Sequence, residues 1–115
     1  GYMKLLLINP FEQTVKAVKS TGDLEDIYNL LDCNTIDAIG IDQQNVLYID
    51  DCGLLKNDQR YFSINGKVLA GNGLVIGFDD EGDSIDTSLN IDDLQIEWLP
   101  KDHVEQPFIN FIPFN

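Results

Sequence analysis

Apolar residues fall in short runs of strand length separated by turn-forming residues, and only one stretch carries a helical period. Lys4 to Ile8 is the first such run. Asn9-Pro10-Phe11-Glu12-Gln13 then supplies turn chemistry before a second strand at Thr14 to Lys19, which makes the pair a hairpin. Ser20-Thr21-Gly22-Asp23 offers several helix N-caps, and Leu24, Ile27, Tyr28 and Leu31 recur on one helix face, so the pattern predicts a short helix over Asp23–Asp32. Asp23, Glu25 and Asp26 lie in its first turn, where the helix dipole favours negative charge. Thr35 to Ile41 reads as a third strand. Val46-Leu47-Tyr48-Ile49 is uniformly apolar, as a strand covered on both faces would be, and Asp50-Asp51-Cys52-Gly53 closes it with a turn. Tyr61 to Ile64 runs into Asn65-Gly66, a strong hairpin signal, and Lys67 to Ala70 returns. Gly71-Asn72-Gly73 leads to another buried strand at Leu74–Phe78. Asn90 caps a helical turn beginning at Ile91, and Leu94, Ile96 and Trp98 alternate like a strand.

These elements predict an α+β fold, a single small domain whose one mixed or mainly antiparallel sheet carries one main short helix packed on it. Lys4–Ile8, Val46–Ile49 and Leu74–Phe78 are too apolar for edge strands and belong inside the sheet. The domain spans residues 3–106. Residues 107–115, with Phe108, Ile109, Phe111, Ile112 and Phe114 between or beside two prolines and no charge, read as an apolar C-terminal arm that must dock somewhere. Docking on a second copy would make a homodimer through Pro107–Asn115.

Length and charge narrow the partners. A chain of 115 residues with 43% apolar composition buries a useful core in one domain, which leaves no room for separate cofactor and substrate lobes. The net charge of −13 repels a phosphate backbone and an anionic membrane surface alike, so direct nucleic-acid and membrane binding are disfavoured. Met3 reads as the natural start after Gly1 and Tyr2, and Leu5 to Ile8 is too short for a signal peptide, so a cytoplasmic location is expected. Two cysteines, Cys33 and Cys52, with one histidine cannot make a usual four-ligand zinc site and are expected to be reduced packing residues.

Lys4 to Pro10, Gly22-Asp23-Leu24, Tyr48-Ile49-Asp50-Asp51 with Gly53-Leu54-Leu55-Lys56, and Leu69 to Gly77 running into Asp79-Asp80-Glu81-Gly82-Asp83 form a recurring set. Over about residues 3–99 the chain resembles the phage- and plasmid-associated family catalogued as domain of unknown function 3846. The resemblance implies a small α/β domain of bacteria and mobile elements without an established activity, and carries no catalytic residues over.

Candidate chemistry is sparse. Gly71, Gly73 and Gly77 precede a strand and do not open a helix, which suits turns and close backbone approaches better than a dinucleotide loop. The run Asp79 to Asp86 has carboxylates for a hard cation, but the position five before Gly82 is Gly77, which is no ligand, so a calcium loop of the helix–loop–helix type is ruled out and a solvated acidic loop is favoured. His103 stands in a polar stretch with no nucleophile motif and reads as a surface residue. The expectation is therefore a protein-interaction module, not an enzyme, with no cofactor and no metal. Its acidic face is Asp79, Asp80, Glu81, Asp83, Asp86, Asp92 and Asp93, and its partner is a basic protein surface, a host protein in a phage setting, engaged by carboxylates imitating phosphates. The alternative is a small-molecule or nucleotide binder using Arg60, Tyr61, Gly71 and Gly73, with Arg60 otherwise pairing Asp58 or Asp50.

Overall fold

The computed structural model describes residues 1–103. Along them run β1 (Met3–Asn9), β2 (Thr14–Ser20), α1 (Leu24–Leu31), β3 (Ile36–Gly40), β4 (Asn45–Asp50), β5 (Tyr61–Ile64), β6 (Lys67–Ala70), β7 (Gly73–Phe78), β8 (Ser84–Ile85) and β9 (Ile96–Trp98), with single 3₁₀ turns at Gly53–Leu55 and Ile91–Asp93. The expected arm over Pro107–Asn115 lies outside the described residues.

The larger sheet has the order β2-β1-β7-β4-β3, with β8 added to β7, and the smaller has the order β6-β5-β9; every pairing is antiparallel. The α+β class stands, and the three most apolar runs are the inner strands of the larger sheet. The expectation of one sheet is corrected to two. Successive residues of a strand face opposite sides, so Leu5, Leu74 and Ile76 meet Ile27 and Leu31 of α1, while Leu6, Ile8, Leu47 and Val75 meet Phe62, Ile64 and Leu69 of the smaller sheet. The larger sheet is thus covered on both faces. That is why its inner strands are continuous apolar runs instead of alternating ones.

Local chemistry sets the boundaries. Asn9 Oδ1 accepts the N–H groups of Phe11 and Glu12 at 2.9 and 3.1 Å and bends the chain from β1 into β2. Asn65 and Gly66 both take positive φ, 52° and 82°, as a two-residue hairpin between β5 and β6 requires. Helix α1 stops at Asp32 in the left-handed conformation. Its N-cap, Asp23, makes no side-chain capping bond; instead the buried Ser20 hydroxyl donates to the Asp26 carboxylate and ties the first turn to β2. Leu24, expected on the packed face, is exposed.

Past Leu6 and Val75, β1 and β7 no longer pair, and residues 84–87 fill the gap. Ile85 pairs Gly77, the Lys4 N–H donates to Asp86 Oδ1 at 2.9 Å, and the Thr87 N–H donates to the Lys4 carbonyl at 3.0 Å. A Cβ at Gly77 would stand 2.4 Å from the Asp86 carbonyl oxygen, so only glycine admits this segment. Among the described residues no helix is long and apolar enough to cross a membrane.

Candidate functional site

The acidic segment divides into three places. Asp79 to Asp83 forms the turn joining β7 to β8: Asp79 Oδ1 accepts the Glu81 and Asp83 N–H groups, both at 2.9 Å, and the Gly82 N–H closes on the Asp79 carbonyl at 3.0 Å. Ligand oxygens of Asp79, Glu81 and Asp83 come within 4.8 Å of one another. They supply three of the roughly six to eight oxygens a calcium ion takes, and one of the two Asp79 oxygens, Oδ1, is already engaged by two amides. Asp80, Glu81 and Asp83 are exposed. Asp86 is engaged by the Lys4 N–H, and Asp93 accepts the Asn90 N–H at 2.8 Å as half of a capping box. Asp86 and Asp92 each border shallow hollows along Lys4 and Ala17. Of the seven predicted carboxylates, Asp79, Asp86 and Asp93 therefore hold local backbone, while Asp80, Glu81, Asp83 and Asp92 are left to solvent. Ion pairs between described residues are Glu12–Lys16 at 3.9 Å and Asp50–Lys56 at 2.6 Å, and neither involves this segment.

The four residues of the alternative site do not converge. Arg60 donates from Nη1 to the carbonyls of Asp58 and Gln59, at 3.4 and 3.1 Å, and pairs neither expected carboxylate, Asp58 or Asp50, the second of which Lys56 holds. Tyr61 is a core residue whose ring meets His103 edge-on at 5.1 Å, and His103 is half-buried there. Gly73 packs under Phe62, whose ring would stand 2.9 Å from an added Cβ. Gly71, in a positive-φ turn closed by its N–H on the Arg60 carbonyl at 2.8 Å, borders a cleft.

That cleft, about 380 Å³, lies where the β1–β2 turn, the end of α1 and the β6–β7 connection meet. Asn9, Phe11 and Glu12 line one side, Leu31 and Asp32 another, and Asp50, Lys56, Gln59, Gly71 and Asn72 the rest. Lys56 Nζ donates to Asp50 Oδ2 and, at 3.0 Å, to the Asp32 carbonyl; Asp50 Oδ1 takes the Cys52 N–H at 2.9 Å. The hydrogen bond to Asp50 raises the Lys56 pKa above its usual value. Burial, and then the Asp50 charge, push the neighbouring Cys33 thiol up, which keeps it protonated and a weak nucleophile. Both cysteines are free, as expected, but Cys52 is exposed and so is no packing residue. Gln59 is spent on structure, donating to the Gly53 carbonyl at 2.8 Å and accepting the Arg60 N–H. Asn72 Nδ2 donates to the Leu30 carbonyl at 3.3 Å, which fixes the amide's orientation and leaves Oδ1 buried with no donor. An acceptor stranded in this way costs about 1–3 kcal/mol.

Sequence reasoning passed over this cleft. Asn72 stood between two glycines as turn chemistry, and Lys56 and Asp50 are six residues apart with no motif spacing; only the grouping of polar residues at the ends of apolar runs hinted at them.

Among curated proteins and solved structures, none matches the chain. The pattern of one family, described as Domain of unknown function (DUF3846), covers residues 3–99, which is every described strand and the helix. With most of its length matched in this way, the chain belongs to the DUF3846 family.

Proposed function

We propose that the protein is an acidic interaction module of a phage or mobile element, acting in the cytoplasm, that docks on a basic surface of a host protein. The observation that carries this reading is the absence of internal counter-charge: among the described residues none of the carboxylates from Asp79 to Asp93 has an ion-pair partner. The turn holding Asp80, Glu81 and Asp83 is anchored by its own hydrogen bonds, so these carboxylates are presented at little further ordering cost. Preorganised negative charge of this kind speeds encounter and selects partners that otherwise bind polyanions. The charge-free residues 107–115 favour self-association as a further partnership, tested by truncation after Gln106 and the mass in solution.

Binding is tested with immobilised protein, a lysate of a bacterial host and an arginine-rich peptide as defined probe. Partners retained by the wild type should be released at about 1 M NaCl, where the screening length is about 3 Å. They should also be lost from the combined variant Asp80→Asn, Glu81→Gln, Asp83→Asn, Asp92→Asn, which spares the carboxylates that hold backbone. Retention of the same partners by that variant overturns the reading.

A further inference from the structure

Strand β3 forms one edge of the larger sheet, and that edge is unguarded. In the β3–β4 ladder the Asp51 N–H donates to the Thr35 carbonyl at 3.2 Å and the Ile41 N–H to the Asn45 carbonyl at 3.1 Å. Odd-numbered residues therefore bond inward, and Ile36, Ala38 and Gly40 turn their N–H and C=O groups outward. Among the described residues no strand takes up that outward row. The Ala38 N–H is met locally, by Asp37 Oδ1 at 2.9 Å. A Cβ at Gly40 would meet nothing within 4 Å, so the edge is open to solvent. The opposite edge, β2, carries Lys16 and Lys19, and the edge strands of the smaller sheet, β6 and β9, have only four and three residues. Lysines and shortness are the usual guards against strand addition, whereas β3 has five residues with neither lysine nor proline.

Beside this edge lies a hollow of about 150 Å³, in which Ile49, Leu54 and Val68 provide apolar walls and Asp37 and Asp51 provide charge. Both carboxylates are exposed, and among the described residues neither has an ion-pair partner. The Phe78 N–H, 2.9 Å from the Gln44 carbonyl, puts the turn after β3 at the same end of the sheet as the acidic turn that begins at Asp79. The geometry points to the open edge of β3 as the docking line of the basic partner, which adds to it as an extended segment with lysine or arginine at alternate positions. This inference rests on the reading of the protein as an acidic module, and it says where and in what conformation the partner binds. Backbone groups of the segment pair with Ile36, Ala38 and Gly40, while a basic side chain lays its apolar stem in the hollow and its charge on Asp37 and Asp51. The Ala38 N–H exchanges its bond to Asp37 for a carbonyl of the segment, which frees that carboxylate oxygen for the incoming charge. A second copy of the chain fits worse, because it would bring another Asp37 and a further charge of −13 to the same edge.

The test is an NMR titration of the whole chain with a short blocked peptide in which lysine alternates with valine, beside its fully N-methylated form, which keeps the charge and loses every backbone donor. The unmodified peptide should slow amide exchange at Ile36 and Gly40 by about tenfold or more, and should bind about tenfold more tightly than the methylated one. Asp37→Asn combined with Asp51→Asn keeps an acceptor for the Ala38 N–H and should weaken the unmodified peptide by roughly the same factor. Equal binding of the two peptides, or shifts confined to residues 79–93, would overturn strand addition and leave the acidic module standing. Protection of Ile36 and Gly40 in the chain without peptide would overturn it as well, because the edge would then be held by another segment or a second copy. Silence toward both peptides would also sink the docking line, and the lysate experiment would decide separately on the wider reading.

Discussion

Lys56 Nζ lies 2.6 Å from Asp50 Oδ2 and 3.0 Å from the carbonyl of Asp32, so a single ammonium joins the end of β4 to the end of α1. The two partners are unequal: the Asp50 side chain is 6% exposed and that of Lys56 45%. The lysine therefore loses little hydration, while the carboxylate depends on it together with the Cys52 N–H. This contact also fixes one wall of the cleft.

Lys56→Met should destabilise the fold by about 1–2 kcal/mol, toward the low end for a charge left partly unpaired because the lysine is well hydrated. The pH dependence follows from the raised Lys56 pKa. Its contribution is fully present below the ordinary lysine value of 10.5 and is lost as pH rises through the higher value in the folded protein. Urea unfolding of wild type and variant should differ most at neutral pH and converge above the lysine range. A gap that stays constant through that range would mean that the methionine variant fails for packing reasons.

Strand positions were legible because they rest on local chemistry. Val46 to Ile49 and Leu74 to Phe78 are apolar on both faces, and Asn65-Gly66 requires no partner to turn. Which sheet a strand joins is a non-local matter. Tyr61 to Ile64 is buried at every position, and nothing in those four residues distinguishes adding to β7 from packing across it. The two-residue β8 lay inside an acidic run and exists only because Gly77 leaves room for Asp86. The cleft was illegible for the same reason: Asn72, Lys56 and Asp32 become neighbours only once α1 and the β6–β7 connection are in place. Arg60 shows the reverse error, since sequence proximity suggested a pairing with the Asp58 or Asp50 carboxylate, whereas the guanidinium takes the backbone carbonyls of Asp58 and Gln59 and Lys56 holds Asp50.

Gly77→Ala should cost roughly 1–3 kcal/mol, because its Cβ would overlap the Asp86 carbonyl 2.4 Å away and the backbone there has no flexible end to yield. Gly40→Ala is the control. Nothing lies within 4 Å of a Cβ at Gly40 in the edge strand β3, so its effect should stay within about 0.5 kcal/mol. Urea unfolding with unchanged slopes measures both, and equal costs would refute the account of how residues 84–87 are seated.

The same segment is held from its other end by a buried polar network. Asn45 is fully buried; its Oδ1 accepts the Thr87 hydroxyl at 2.6 Å, and its Nδ2 donates to Ser88 Oγ at 3.0 Å and to the Asp42 carboxylate. Thr87→Val keeps the shape of the side chain but removes the donor, so a buried acceptor is stranded at a cost of about 1–3 kcal/mol. Asn45→Ala removes the acceptor as well as the contacts to Ser88 and Asp42, and should cost more than the valine substitution. Combined, the two should destabilise by less than their sum, with a coupling of about 0.5–3 kcal/mol, because once Asn45 is gone the Thr87 hydroxyl has lost its partner across the sheet. A double-mutant cycle in urea reads this directly. Strict additivity would show that Thr87 acts through its other bond, in which Oγ1 accepts the Leu89 N–H at 3.2 Å, and that Asn45 only pins the β3–β4 turn.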